Sequence, residues 1–141
     1  MLEILKVFAT VVGVVAALLG IYVYFLNSRL RRAQWLASLY EKFYERPDLK
    51  GVRETLDCEG AESPNVRQLI QDEPSQFTDY LNFFEFVAVL QRSGQLTNEE
   101  IEDLFRYYLD CLERLRAVRE YIAANGYEQL DKLLRKRAKK K

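Results

Sequence analysis

The chain has 141 residues, 21 basic and 21 acidic, with no histidine and two cysteines. That length allows one small folded domain beside any membrane segment, not two. The missing histidine removes the commonest general acid–base and the commonest zinc ligand, and excludes Glu-x-x-His di-iron bundles.

The first predicted element is Val7 to Leu26, twenty residues without a charge. A helix of that length spans about 30 Å, the hydrocarbon thickness of a bilayer. A cleaved signal peptide would have a shorter apolar run ending in small residues. This one ends in Tyr22, Tyr24, Phe25 and Leu26. A buried soluble helix would be shorter and carry a polar stripe. The expectation is one uncleaved transmembrane helix. Arg29, Arg31 and Arg32 follow the span and only Lys6 precedes it. The positive-inside rule then sets the N-terminus outside and the remainder in the cytoplasm, from an inner membrane. Ala9, Gly13 and Ala17 recur every fourth residue, as do Ala16 and Gly20, a spacing that suits close helix packing or is simply the composition of membrane helices.

Beyond the span Leu36, Leu39, Tyr40 and Phe43 share a helical face, so one helix is expected to run on to about Tyr44 and stop at Pro47. Trp35 is expected to pack in the soluble lobe. A short helix is predicted over residues 48–57 with Asp48 as cap. Residues 58–65 read as a loop, and Ser63-Pro64 as the start of another short helix to Gln71. Pro74 opens the next, which reaches Ser93 and ends at Gly94. Phe77, Tyr80, Leu81, Phe83, Phe84, Val87, Ala88 and Leu90 make it apolar on most sides, with Phe86 and Val89 nearby, so it is expected to be the core helix. Thr97 and Glu100 form a capping box. The stripe Ile101, Leu104, Phe105, Tyr108, Leu112, Leu115 and Ile122 predicts one helix up to Asn125-Gly126, and Tyr127 to Arg137 a last one. No strand-like alternation is present. The predicted fold is all-α: an anchor over residues 1–28, a cytoplasmic helical bundle over 29–134 and a basic tail over 135–141.

The segment FTDYLNFFEFVAVLQRSGQLTNEEIEDLF, with YIAANGYEQLDKLL further on, resembles an uncharacterised bacterial family of small membrane-anchored helical proteins, a domain of unknown function. The resemblance rests on an N-x-x-E pair in an apolar helix (here Asn82 and Glu85), a Gly turn (Gly94), an acidic helix start and a basic closing helix. It covers about half the chain. It implies an amino-terminal membrane helix and a helical cytoplasmic domain, and no reaction, ligand or catalytic residue.

Candidate sites are few. No Gly-rich phosphate loop, CxxC pair or Ser or Cys with a base partner is present, so no catalytic residue, cofactor or metal is expected. Cys58 and Cys111 are expected to be free thiols. Asn82 and Glu85 share a face and are expected to form a buried polar pair. A carboxylate between two phenylalanines is costly to bury, so Glu85 is expected to be held by Arg53, Arg116 or Arg119, or else to act as an acid or ligand contact. Charge is uneven: residues 41–113 hold seventeen acidic and seven basic residues, leaving four and fourteen at the two ends. Arg29, Arg31 and Arg32 at one end, and Arg135, Lys136, Arg137, Lys139, Lys140 and Lys141 at the other, are candidate contacts for anionic lipid or a partner. Nucleic acid is disfavoured because no aromatic residues interleave the basic run. The functional expectation is a non-catalytic scaffold or adaptor, an accessory subunit of a membrane assembly that contacts other subunits or a second copy of itself. The alternative is a module sensing lipid or a small ligand in its aromatic core. The discriminator is a cavity near Glu85.

Overall fold

In a computed structural model, residues 1–57 and 64–139 are described, with side chains for all of these except residues 2, 3, 5 and 7–11. Among the described residues the chain forms seven helices and no strand: α1 (Leu2–Glu45), α2 (Pro47–Asp57), α3 (Pro64–Asp72), α4 (Pro74–Arg92), α5 (Asn98–Arg114), α6 (Arg116–Ala124) and α7 (Glu128–Ala138). The all-α class is as the sequence predicts. The chain divides into two units, Met1–Glu41 and Lys42–Lys141.

The first unit is helix from Leu2 onward. One α1 segment, Val12–Glu45, is long and apolar enough to cross a membrane, and none of its most apolar stretch is buried. Asn27 and Ser28 do not interrupt the helix. Trp35, expected inside the lobe, is 36% exposed.

The second unit is built around one ring. Phe43, in the last turn of α1, has no exposed surface. Its centroid lies 5.9 Å from Tyr80, 4.9 Å from Phe83, 5.4 Å from Phe84, 5.4 Å from Phe105 and 4.8 Å from Tyr108. Rings at these separations gain beyond their buried area when they meet edge to face, as Phe43 does with Phe84, Phe105 and Tyr108. α4 supplies most of the partners and packs most extensively on α7 and α2. Phe77, Tyr80, Leu81 and Phe84 are fully buried, as expected of the core helix, but Phe86 is 52% exposed and takes no part in it.

Arg53 of α2 finishes α1. Its guanidinium donates to the carbonyl oxygens of Phe43 and Tyr44, the latter at 3.0 Å, and lies 5.0 Å from the Phe43 ring centroid. The last carbonyls of a helix have no partner within it, and a cation suits the negative end of its dipole. Pro47, expected only to stop α1, is itself the first residue of α2, a position where its missing N–H costs nothing.

Two turns use glycine where the backbone requires it. Gly94 (φ 73°) ends α4 and Gly126 (φ 79°) follows α6, both in the left-handed region that other residues reach at a cost. Thr97 and Glu100 form the expected capping box, Thr97 Oγ1 accepting from the Glu100 N–H at 3.1 Å and Glu100 Oε2 accepting from the Thr97 N–H at 2.8 Å.

The one helix expected from the Thr97 cap up to Asn125-Gly126 is two helices. Leu115 is extended (ψ 111°) between α5 and α6. Neither proline nor glycine lies there, and the buried set Leu112, Leu115, Val118 and Ile122 fits a continuous helical phase. The bend is therefore tertiary: α5 lies against α2 and α7, and the turn lets α6 meet α3 as well as α7.

Candidate functional site

The polar groups that matter most converge on α7. Its N-cap, Tyr127, offers no side-chain acceptor to the first turn. Glu85, reaching across from α4, takes that role. Its Oε1 accepts from the Gln129 N–H at 3.1 Å and its Oε2 from the Leu130 N–H at 2.7 Å. These are the second and third helical residues, the donors that a Ser or Asp cap ordinarily satisfies. The negative charge also sits at the positive end of the α7 dipole.

The other end of α7 is fixed by Arg137, only 7% exposed. Its Nε donates to Glu102 at 2.6 Å, Nη1 to Glu113 at 2.6 Å, and Nη2 to Glu102 at 3.0 Å and Asp110 at 3.1 Å. All three carboxylates belong to α5. Burial opposes the charge on Arg137, but the Glu102 hydrogen bond and the charges of Glu113 and Glu102 outweigh it and raise its pKa further. The same hydrogen bond, working against desolvation, lowers the pKa of Glu102.

These contacts correct three expectations. Glu85 is held by a helix N-terminus, not by an arginine. Arg53 serves the α1 carbonyls and Arg116 pairs with Glu120 at 2.9 Å. Asn82 is exposed and Glu85 only half-buried, so they are not a buried pair. Arg137 is no surface contact for lipid, since its donors are spent inside. The sequence signal for it was present: residue 137 continues the inward stripe of Leu130, Leu133 and Leu134.

The remaining basic candidates are outward. Arg29, Arg31, Arg32, Lys136 and Lys139 are exposed. Arg135 is exposed and paired with Asp131 at 2.8 Å. Lys140, Lys141 and Cys58 lie outside the described residues, as does the side chain of Ala9. Gly13 and Gly20 have open space where a Cβ would stand, and Ala16 and Ala17 are exposed.

Two clefts flank α7. One, of about 530 Å³, is lined by Asn98, Glu99, Glu102, Asp103, Arg106, Leu133, Lys136 and Arg137. The other, of about 690 Å³, is lined by Glu113, Arg116, Arg119, Glu120, Ile122, Ala123, Asp131, Leu134, Arg135 and Ala138. Both are mixed in charge and neither reaches Glu85 or the aromatic cluster. Among the described residues no three His, Cys, Asp or Glu side chains are placed to hold a metal ion. Cys111 is buried and free, and burial pushes its thiol pKa up, away from the reactive thiolate. The hydroxyl of Tyr80 is buried with no hydrogen-bond partner, and burial pushes its pKa well up. The chain matches no family model, no curated protein and no solved structure.

Proposed function

We propose that this protein is a non-catalytic, single-pass membrane adaptor. Its helical lobe faces the cytoplasm from the inner membrane and binds other membrane-associated subunits, a second copy among them. The observation that carries the reading is the bare apolar stretch of α1, which none of the described residues buries. An exposed hydrophobic helix of that length is costly in water and stable in lipid. Arg29, Arg31 and Arg32 at its end support a cytoplasmic lobe and contact with anionic headgroups, with Lys136 and Lys139 as further cations. The polar side chains near α7 also support a structural role. Glu85 and Arg137 have every strong contact filled by helix ends and carboxylates, which leaves them holding the lobe together. The ring-to-ring packing around Phe43 favours this reading over ligand sensing in the aromatic core.

Fractionation of cells expressing the full chain tests it. The chain is expected in the membrane pellet after alkaline carbonate washing and in solution only with detergent. Protease added from the cytoplasmic side should digest the lobe. Purification in mild detergent should bring down stoichiometric partner chains. A full-length chain in the aqueous fraction would overturn the anchor, and a solitary monomer would overturn the adaptor role.

A further inference from the structure

The last two helices are the basic end of an acidic lobe. Residues 116–139 carry seven cations and three carboxylates, while residues 42–115 carry eight cations and sixteen carboxylates. α6 and α7 lie against each other, and the cleft of about 690 Å³ runs between them. Its floor is apolar. Ile122 and Leu134 belong to the core, and Ala123 and Ala138 are exposed and small enough to leave the space above them open. Arg116, Arg119 and Arg135 stand in its walls. The cleft also holds three carboxylates, but each already has a guanidinium. Glu113 has that of Arg137 at 2.6 Å, Glu120 that of Arg116 at 2.9 Å and Asp131 that of Arg135 at 2.8 Å. Arg119 is exposed and meets no carboxylate among the described residues. A cleft whose acids are all matched, and which keeps a further guanidinium, presents positive potential over an apolar floor.

We infer that this cleft is the docking groove for an acidic amphipathic helix of another protein chain. The inference rests on the adaptor reading and names the chemistry of its partner. A groove between two helices accepts a third that lays its apolar stripe on the floor. Carboxylates at the edges of that stripe then pair with Arg119 and the arginines beside it, whose planar forks suit them. α6 and α7 have nine and eleven residues, a length of about 14–17 Å, which matches about three turns of partner helix. Other anionic occupants fit less well. A bilayer surface is flat and does not enter a cleft. Single-stranded nucleic acid stacks its bases on aromatic rings, and the rings of α6 and α7 are turned inward: Tyr121 lies 5.2 Å from Phe77 of α4, and Tyr127 is 7% exposed. A second copy offers chiefly its acidic α5, yet Glu102, Asp110 and Glu113 there are held by Arg137 of their own chain.

Photo-crosslinking of the full chain in cells tests the groove. Benzoylphenylalanine replaces Ala123 or Ala138 in the cleft or, as a control, Gln68 on the exposed side of α3. Adducts are expected at 123 and 138 and not at 68. Tandem mass spectrometry of the adduct should read an acidic segment with apolar residues at helical spacing. Arg119→Glu combined with Arg135→Glu should lower the adduct about tenfold or more, because like charges then face each other. Arg92→Glu, an exposed cation at the end of α4, should leave it intact. All three substituted side chains are exposed, so the lobe should keep its melting temperature. An adduct with lipid, nucleic acid, a basic segment or a second copy of this chain, or one that survives the double charge reversal, would overturn the inference. Mild-detergent purification from the same cells separates the groove from the adaptor reading. Partner chains that co-purify without adducts at 123 and 138 refute only the groove, and a solitary monomer refutes both.

Discussion

Removing the Glu85 carboxylate tests whether α7 depends on a cap borrowed from α4. Glu85→Ala deletes the acceptors for two backbone donors, Gln129 N–H at 3.1 Å and Leu130 N–H at 2.7 Å. Loss of a side-chain cap costs about 0.5–2 kcal/mol, and loss of a negative charge at a helix N-terminus about 0.3–1 kcal/mol more. Glu85 is half-buried, so water recovers part of this, and the expected cost is about 2 kcal/mol. In a lobe of this size that lowers the melting temperature by roughly 10 °C. Glu85→Gln keeps one acceptor and turns an amide N–H toward the other donor, so it should fall between the alanine variant and the parent. Asn82→Ala, exposed on the same helix, should change nothing. The assay is circular dichroism melting in detergent, joined to hydrogen exchange at the Gln129 and Leu130 amides, which should speed up in the Glu85 variants. Unchanged melting together with unchanged exchange at those two amides would refute the reasoning.

Tyr80→Phe removes a buried hydroxyl that has no partner, and an unsatisfied buried group costs about 1–3 kcal/mol. The variant should be at least as stable as the parent in urea unfolding, and a clear loss would show that the hydroxyl is bonded. Arg137→Met leaves Glu102, Asp110 and Glu113 without their shared cation; these carboxylates are partly exposed and regain water, so the cost is that of lost charged hydrogen bonds, about 1.5–3 kcal/mol, read from the same titration. Stability should also depend on acid. The pKa of Glu102 is lowered from its ordinary 4.5 by the Arg137 hydrogen bond. Its contribution is therefore complete above pH 4.5, and is lost as pH falls through the folded-state value. That acid loss should shrink in the Arg137 variant, and melting curves from pH 7 to 3 would show it. Phe43→Ala and Phe84→Ala each empty a fully buried ring site and should cost about 3–5 kcal/mol in the same unfolding assay.

Much of the fold was legible because it is written locally. The long apolar helix shows as an uncharged run, the α5 start as Thr97 with Glu100, and the α4 end as Gly94. Each involves residues a few positions apart, which is the range over which propensity, capping and periodicity act. The break at Leu115 was not legible because nothing local forces it. Its cause is the need of α5 and α6 to meet different neighbours. Phe43 looked like one member of an amphipathic stripe, and its place at the centre of the aromatic cluster depends on rings from α4 and α5.

The polar contacts divide the same way, and they show why the residue letters alone point Glu85 to the wrong partner. An acidic group beside buried rings needs positive potential, and charge pairing suggests an arginine. A helix N-terminus supplies the same sign of potential from backbone dipoles that no residue letter records. The partner lies 44 and 45 residues away in sequence, so no spacing rule reaches it. Arg53 is the mirror case, a cation spent on the carbonyl end of α1 rather than on a carboxylate. In both, one helix satisfies the terminal backbone groups of another, and the ends of α1 and α7 are thereby set by α2 and α4. The turn carrying Phe43 cannot unwind without releasing Arg53 from two carbonyls and uncovering the aromatic cluster.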